Sequence, residues 1–406
     1  MATMPEAADA EAAGPRPARG GSVSAVGAVV ALQIAVTLPA FLIPTLAPYL
    51  ERDIGLTERS LGIAVGSFYA VSGATAVWLG RVADRQTWQR GLFMAAFGAL
   101  VPIALLGGLV TNAVVLVVSM VVLAVVQSLG VGTTNLAIVD SVAPRQQGVA
   151  FGVKQAAVPA ATLLAGLSAP LIADRVGWRW AFLFAAAFPL LAIGLTRWRH
   201  HDGAQATARA ATRDDGPVPA DRARRLRRLA AAFAIATFTT SSLGAFFVLY
   251  AVDQGMSPGA AGLTVAVASL VNVTMRVSMG WIADRRAGEA FAQGALLLAA
   301  GSIGYFVLLG GASWSLTVGA VLAYGLGWAW QGLIHLGAVR LVPGAPGYAT
   351  GVIRTGLAIG SATGPVASGV LIGVAGYRPL WLLLGVLAVG AAAAVFLTVR
   401  KPVEAL

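Results

Sequence analysis

Twelve runs of mostly apolar residues, each long enough to cross a lipid bilayer, constrain this chain more than any other feature. They fall near 23–49, 61–80, 91–111, 113–139, 147–173 and 178–197, and again near 229–252, 259–281, 290–310, 316–338, 348–374 and 379–399. A helix rises about 1.5 Å per residue, so about twenty apolar residues span the hydrocarbon core of a bilayer. No water is available there, so each backbone N–H and C=O of such a run must pair within its own segment, as an α-helix allows. Composition agrees: 58% of residues are hydrophobic and 11% charged, too few charges to coat a water-soluble protein, which carries about 25%. The 49 glycines suit helices that pack closely in a membrane. The expected fold class is an all-α membrane protein of twelve transmembrane helices.

The same composition removes several functions. Without cysteine there is no disulfide scaffold, Cys-ligated zinc or iron–sulfur cluster. Three histidines, two of them adjacent at His200 and His201, leave little for a metal enzyme, and neither a metal nor a cofactor is expected. The net charge of +11 does not point to nucleic acid, because the arginines sit between apolar runs and so face a bilayer surface.

Residues 1–22 read as a disordered cytoplasmic tail, without the short apolar core and cleavage site of a signal peptide. A six-helix bundle over 23–197 follows, then a linker at 198–228. That linker carries Asp202, Asp214, Asp215 and Asp221 and an arginine cluster from Arg222 to Arg228. A second six-helix bundle over 229–400 and a cytoplasmic tail at 401–406 complete the chain. With the N-terminus inside, 20 of the 28 basic residues fall on the inner side, five on the outer side and three within the runs. Basic residues are retained on the cytoplasmic side, so both termini are expected there, in the cell's inner (plasma) membrane.

The two halves repeat at an offset near 200 residues. Gly80-Arg81-Val82-Ala83-Asp84-Arg85 aligns with Gly280-Trp281-Ile282-Ala283-Asp284-Arg285, and Gly55-Leu56-Thr57 with Gly255-Met256-Ser257. Gly177-Trp178-Arg179 aligns with Gly376-Tyr377-Arg378. Six spans are therefore duplicated in parallel orientation, an arrangement that places a substrate site near mid-membrane between the halves.

The Gly80-x-x-x-Asp84-Arg85 element between the second and third runs, recurring between the eighth and ninth, resembles the signature of the major facilitator superfamily. The Gly177-Trp178-Arg179-Trp180 stretch is typical of many of its members. The basic pair usual after Asp-Arg is missing; Thr87, Trp88, Gln89 and Arg90 stand there. The resemblance implies the major facilitator fold of two six-helix repeats. It also implies a conformational latch built from Gly80, Asp84, Arg85, Gly280, Asp284 and Arg285, the alternative for these residues being a plain solvated turn. Runs 1, 2, 4, 5, 7, 8, 10 and 11 would then line a cavity, with 3, 6, 9 and 12 facing lipid.

An ionisable residue at membrane depth is costly and marks a functional candidate. The acids all fall in tails, loops or run ends, whereas Lys154, Arg276, Arg354 and His335 lie inside runs 5, 8, 11 and 10. Snorkelling of the long side chains to the headgroups is the simpler reading of Lys154, Arg276 and Arg354, and a hydrogen-bonded packing role is that of His335. Arg276-x-x-x-Gly280 and Arg354 resemble basic residues of monocarboxylate- and oxalate-type porters, which implies a carboxylate ligand. Expected to share that site are Gln155, Asn272, Gln331 and Gln33, with Asn135, Tyr69, Tyr324, Trp328 and Trp330 as further candidates. Pro39, Pro44 and Pro48 in run 1 and Pro159 and Pro170 in run 5 remove backbone bonds and permit kinks.

The function expected is secondary transport of a small solute, an organic anion or carboxylate, by alternating access. A proton or a counter-anion would be the coupling partner, in a monomer surrounded by lipid. The alternative is export of a hydrophobic drug or metabolite by proton antiport. The Gly-Pro-x-x-Gly-Gly run of drug exporters is absent from run 5, which reads Gly152-Val153-Lys154-Gln155-Ala156-Ala157-Val158-Pro159. A membrane enzyme lacks converging catalytic groups, a receptor lacks an output domain, and no phosphate-binding Gly-x-x-x-x-Gly-Lys loop supports ATP hydrolysis. The topology is directly testable in this cysteine-free chain. A single cysteine at Ala206 should react with an impermeant maleimide only from the cytoplasm, and one at Ser313 only from outside; labelling of both from one side would overturn the six-plus-six arrangement.

Overall fold

Helices account for the regular structure throughout the described part of the chain, which in this computed structural model is residues 19–197, 218–285, 290–342 and 345–400. Most of the expected N-terminal tail and linker, and all of the C-terminal tail, lie outside the described residues. Eleven helices are long and apolar enough to cross a membrane. They are α1 (Arg19–Thr45), α2 (Glu58–Asp84), α3 (Trp88–Leu109), α4 (Ala113–Ser141), α5 (Val149–Val176), α6 (Arg179–Thr196), α7 (Ala220–Asp253), α8 (Pro258–Arg285), α9 (Ala290–Leu308), α11 (Pro346–Ala375) and α12 (Tyr377–Arg400). The tenth run is the exception. It forms a helix at Ser313–Ala320, a π-helical turn at Val321–Leu326, a non-helical turn over 327–330 and a second helix at Gln331–Leu341, together α10.

The repeat is written into the helix ends. Gly55 and its mate Gly255 take φ of 66° and 89°, and Gly177 and its mate Gly376 take 99° and 80°, a region that costs any side chain with a Cβ. Gly55 closes the short helix Ala47–Ile54. Two residues on, the Thr57 side chain accepts from Ser60 N (3.2 Å), and its mate Ser257 accepts from Ala260 N (3.2 Å). The repeated Gly-x-Thr/Ser is thus a stop and a start, a left-handed C-cap followed by an N-cap.

Two boundaries differ from the hydropathy reading. α7 begins at Ala220, so Arg222 to Arg228 ride on its first turns rather than in a linker. Arginine is a good helix former and nothing between Pro219 and the apolar run breaks the helix. There Arg225 Nη2 donates to Val399 O of α12 at 2.8 Å. α1 passes Pro39 and Pro44 and ends at Thr45, while Pro48 lies in the first turn of Ala47–Ile54, where its missing N–H costs no helical bond.

Within the first half α1 packs on α4, α5 and α6, and α2 on α4; within the second, α7 packs on α11 and α12, and α9 on α10 and α12. The halves meet through α2 against α11 and α5 against α8, the pairs a two-fold relation between the repeats requires. α3, α6, α9 and α12 turn large apolar side chains outward, among them Phe97, Leu190, Leu296 and Leu383, as lipid-facing helices do.

The contacts between halves crowd into the membrane half away from the chain termini. A Cβ on Gly62 of α2 would strike Pro365 O of α11, one on Gly66 would strike Ala362 O, and one on Gly166 of α5 would strike Gly262 O of α8. At the termini-side ends, a Cβ on Gly80, Gly152 or Gly351 would meet nothing within 4 Å. Among the described residues, the closest backbone contacts between the halves therefore lie on the far side, and these termini-side glycines make none. Close approach within a half has a different role: Gly360 of α11 lies against Ala234 O of α7. Gly360→Ala should cost about 1–3 kcal/mol by overpacking within the second half and lower the melting temperature in detergent. Gly62→Ala should leave the melting temperature nearly unchanged and instead weaken far-side closure, seen as faster far-side labelling of a cysteine placed at the buried Val65.

Candidate substrate site

The broken α10 organises the centre of the molecule. Gly301 of α9 approaches so closely that a Cβ there would collide with Gly327, and the chain of α10 widens to let it in. Gly327 N reaches back to Leu322 O (3.0 Å), a π-type bond, and Ala329 N to Leu326 O (3.1 Å). Such a break leaves carbonyls without their ordinary helical partners, and burying them unpaired is expensive. Two side chains on one face of α8 take them up. Asn272 is buried, and its Nδ2 donates to Tyr324 O (2.8 Å) and Gly325 O (3.3 Å). Arg276, one turn on, donates through Nη2 to Trp328 O (3.2 Å) and to Gln331 Oε1 (3.1 Å). The Arg276 Nε is buried without a partner among the described residues.

A small cavity opens beside this junction, lined by Val158, Pro159 and Thr162 of α5, Ser269, Asn272 and Arg276 of α8, and Tyr324 and Trp328 of α10. It takes walls from both halves. Three of the expected site residues thus converge: Asn272, Arg276 and Gln331. A second small cavity lies between α1, α2, α7 and Trp328. Phe41 and Phe68 on its wall were not anticipated, because an apolar residue in an apolar run carries no signal. Only Tyr69 and Trp328 on that wall were candidates from the sequence.

The remaining expected residues are arranged differently. Lys154 is buried, and its Nζ donates to Asn135 Oδ1 and, at 3.4 Å, to Val131 O, both on α4. It therefore points into its own half. Gln155 and Arg354 are exposed on the termini-side parts of α5 and α11, with the like charges of Lys154 and Arg354 acting on each other. Gln33 is buried, its Nε2 donating to Thr37 Oγ1 at 3.1 Å while its Oε1 finds no partner among the described residues. His335 lies in the helix Gln331–Leu341, and its side chain is outside the described part. Trp330 is fully buried and stacks on Phe233 (5.2 Å, 13°), a packing role.

Gly80 sits inside α2 rather than in a turn, and its backbone is approached by Gly132 of α4. Asp84 is the last residue of α2, ahead of the Thr87 cap of α3. Asp84 and Arg85 are exposed, and neither makes an ion pair among the described residues. Gly280, Asp284 and Arg285 end α8, their side-chain surroundings outside the described part.

The ion pair present among the described residues lies on the far side. Arg179 Nη1 stands 3.6 Å from Asp53 Oδ2, and Trp178 Nε1 donates to the same oxygen at 2.7 Å. The Gly177-Trp178-Arg179 motif thus ties α6 to the helix that follows α1. Nearby Tyr49 Oη donates to Asp174 Oδ1 at 2.5 Å; burial, then Asp174, pushes this hydroxyl above the usual phenol range, so it stays a donor. No group of three His, Asp or Glu able to hold a metal occurs among the described residues.

Comparison with known proteins gives two results. The model of the Major Facilitator Superfamily matches residues 25–345. The crystal structure of a bacterial homolog of the human lysosomal transporter Spinster, in an inward-facing and unoccupied conformation, superposes with a TM-score of 0.70 at 16% identity, covering 94% of this chain and 98% of that one. No curated protein matches the sequence.

The geometry of the break makes Asn272 testable. Asn272→Leu keeps the volume but strands two buried carbonyls, so it should destabilise the protein by about 1–3 kcal/mol, read as a lower melting temperature in detergent. Unchanged stability would mean that the break finds other partners.

Proposed function

The chain belongs to the major facilitator superfamily and is a multi-pass secondary transporter of a small molecule rather than an enzyme; on that premise we propose that its substrate is an organic anion, most simply a carboxylate, gripped by Arg276. One observation carries this reading. Arg276 stands on the wall of a central cavity that both halves build, hydrogen-bonded only to neutral oxygens, with no carboxylate paired to it among the described residues. An uncompensated charge at this depth costs at least a few kcal/mol, about 3 on the insertion scale. A bound anion and water relieve that cost. Guanidinium offers a planar fork that takes a carboxylate through two parallel bonds. Gln331 and Asn272 supply adjacent neutral groups, and Gln33 and His335 belong to the same cavity-lining helices.

Lys154, Gln155 and Arg354 serve a different step. Gln155 and Arg354 stand exposed on the open side, where the charge of Arg354 draws an anion inward before it reaches Arg276, while Lys154, buried against Asn135, holds its charge within the first half. Asp84 with Arg85, and their mates Asp284 and Arg285, act as the latch at that face. It is released while this side is open, in keeping with the exposure of Asp84. The termini-side opening is the cytoplasmic one, as the arginine asymmetry indicates. Coupling is to a proton or a counter-anion, and a single chain holds the whole site. Export of a neutral hydrophobic solute is favoured by the aromatic second cavity but leaves the charge of Arg276 uncompensated.

Vesicles reconstituted with the protein should take up radiolabelled carboxylates. Arg276→Lys should weaken apparent affinity about tenfold or more, because charge alone does not replace the fork. Arg276→Gln should abolish uptake, and Arg354→Gln should slow entry with a stronger dependence on salt. Asp84→Asn should bind the anion yet exchange it slowly. Stimulation by a loaded internal anion, or by a pH gradient, separates the two coupling schemes. Movement of cationic dyes with no carboxylate transported would overturn the anion reading in favour of hydrophobic export.

A further inference from the structure

The second cavity gives the substrate a shape. Resting on the carboxylate reading of Arg276, we propose that it is an apolar subsite, so that the transported anion carries one charge and an uncharged, apolar body. Its walls bring Phe41 and Pro44 of α1, Phe68 and Tyr69 of α2 and Gly244 of α7 against Trp328 of α10, with no charged residue among them. Ser241, also on the wall, spends its hydroxyl on Phe238 O.

Trp328 joins the two cavities. Its backbone oxygen receives Arg276 Nη2, and the residue lines both spaces. The ring is fixed by Phe41 edge-on at 6.0 Å and by Tyr324 at 5.4 Å. A Cβ on Gly244 would meet the ring in ordinary van der Waals contact, at 3.6 Å. The turn at the α10 break is what aims Trp328 here. A carboxylate on Arg276 therefore has, one side chain away, a lining that rewards CH₂ groups and a ring face. A second carboxylate placed there would lose its water and find no cation.

The test is equilibrium binding by calorimetry to the purified full-length protein in detergent, with acetate, butyrate, hexanoate, benzoate and succinate as probes. Affinity should rise about fourfold per added methylene, as burial of one CH₂ requires. Benzoate should exceed acetate by more than tenfold, and succinate should bind more weakly than butyrate. Gly244→Leu, which fills the apolar space from the wall opposite Trp328, should drive the benzoate-to-acetate ratio toward one. Trp328→Ala should lower the same ratio. Should the Trp328 variant fail to fold, the Gly244 variant decides alone. A flat series, succinate equal to butyrate, or a Gly244→Leu loss shared equally by every acid would overturn the apolar subsite while leaving the carboxylate reading intact. Absence of binding by all five acids would sink the carboxylate reading and this inference with it.

Discussion

A carbonyl released from a membrane helix has no water to receive it, and the centre of this protein is arranged around that fact. α9 needs to approach α10 at Gly301, α10 opens into a π-turn and a bend, and Asn272 and Arg276 of α8 take the freed oxygens. The same break delivers Trp328 to the cavity walls and brings Gln331 beside Arg276. Backbone satisfaction and the candidate site are therefore one structure. A residue that repairs the helix break is at the same time the cation that faces the cavity, so occupancy of the cavity and the geometry of α10 are physically linked.

The rest of the molecule supplies two rigid halves and a contact between them that can be broken. Inside the second half, backbone meets backbone where Gly356, Gly360 and Gly364 of α11 lie on α7. Between the halves, similar glycine contacts at Gly62, Gly66 and Gly166 are confined to the far side. Small residues give close van der Waals packing without ionic locks, so each such contact is firm when made and leaves no stranded charge when parted. The far-side polar cluster of Asp53, Trp178 and Arg179 stays within the first half. It stiffens that half and does not bind it to the other.

Much of the fold was legible because hydrophobic length and repeated punctuation are local properties. Gly55 and Gly255, and Gly177 and Gly376, align in the sequence and all adopt a positive φ, since the need for a residue without a Cβ is decided by the local turn. Asn272 and Arg276 were candidates because polar residues at membrane depth stand out, and their four-residue spacing puts them on one helix face. The site was harder. Lys154 looked equivalent to Arg276 along the chain, yet it turns toward Asn135 on α4. Phe41 and Phe68 were invisible among other apolar residues.

By itself the sequence determined that the chain is a duplicated bundle of membrane helices, where the repeated glycine turns between them lie, and which polar groups fall within the apolar runs. These follow from the length of apolar runs and from backbone conformations that only certain residues adopt. The tertiary structure alone decided that the tenth run is broken, although its glycines resemble those of the unbroken α11. It also decided which way each buried polar side chain faces, and where an apolar cavity adjoins a charged one. The physical reason is the same in each case: helix rotation and helix continuity are set by the neighbours a helix packs against, and those neighbours come from elsewhere in the chain.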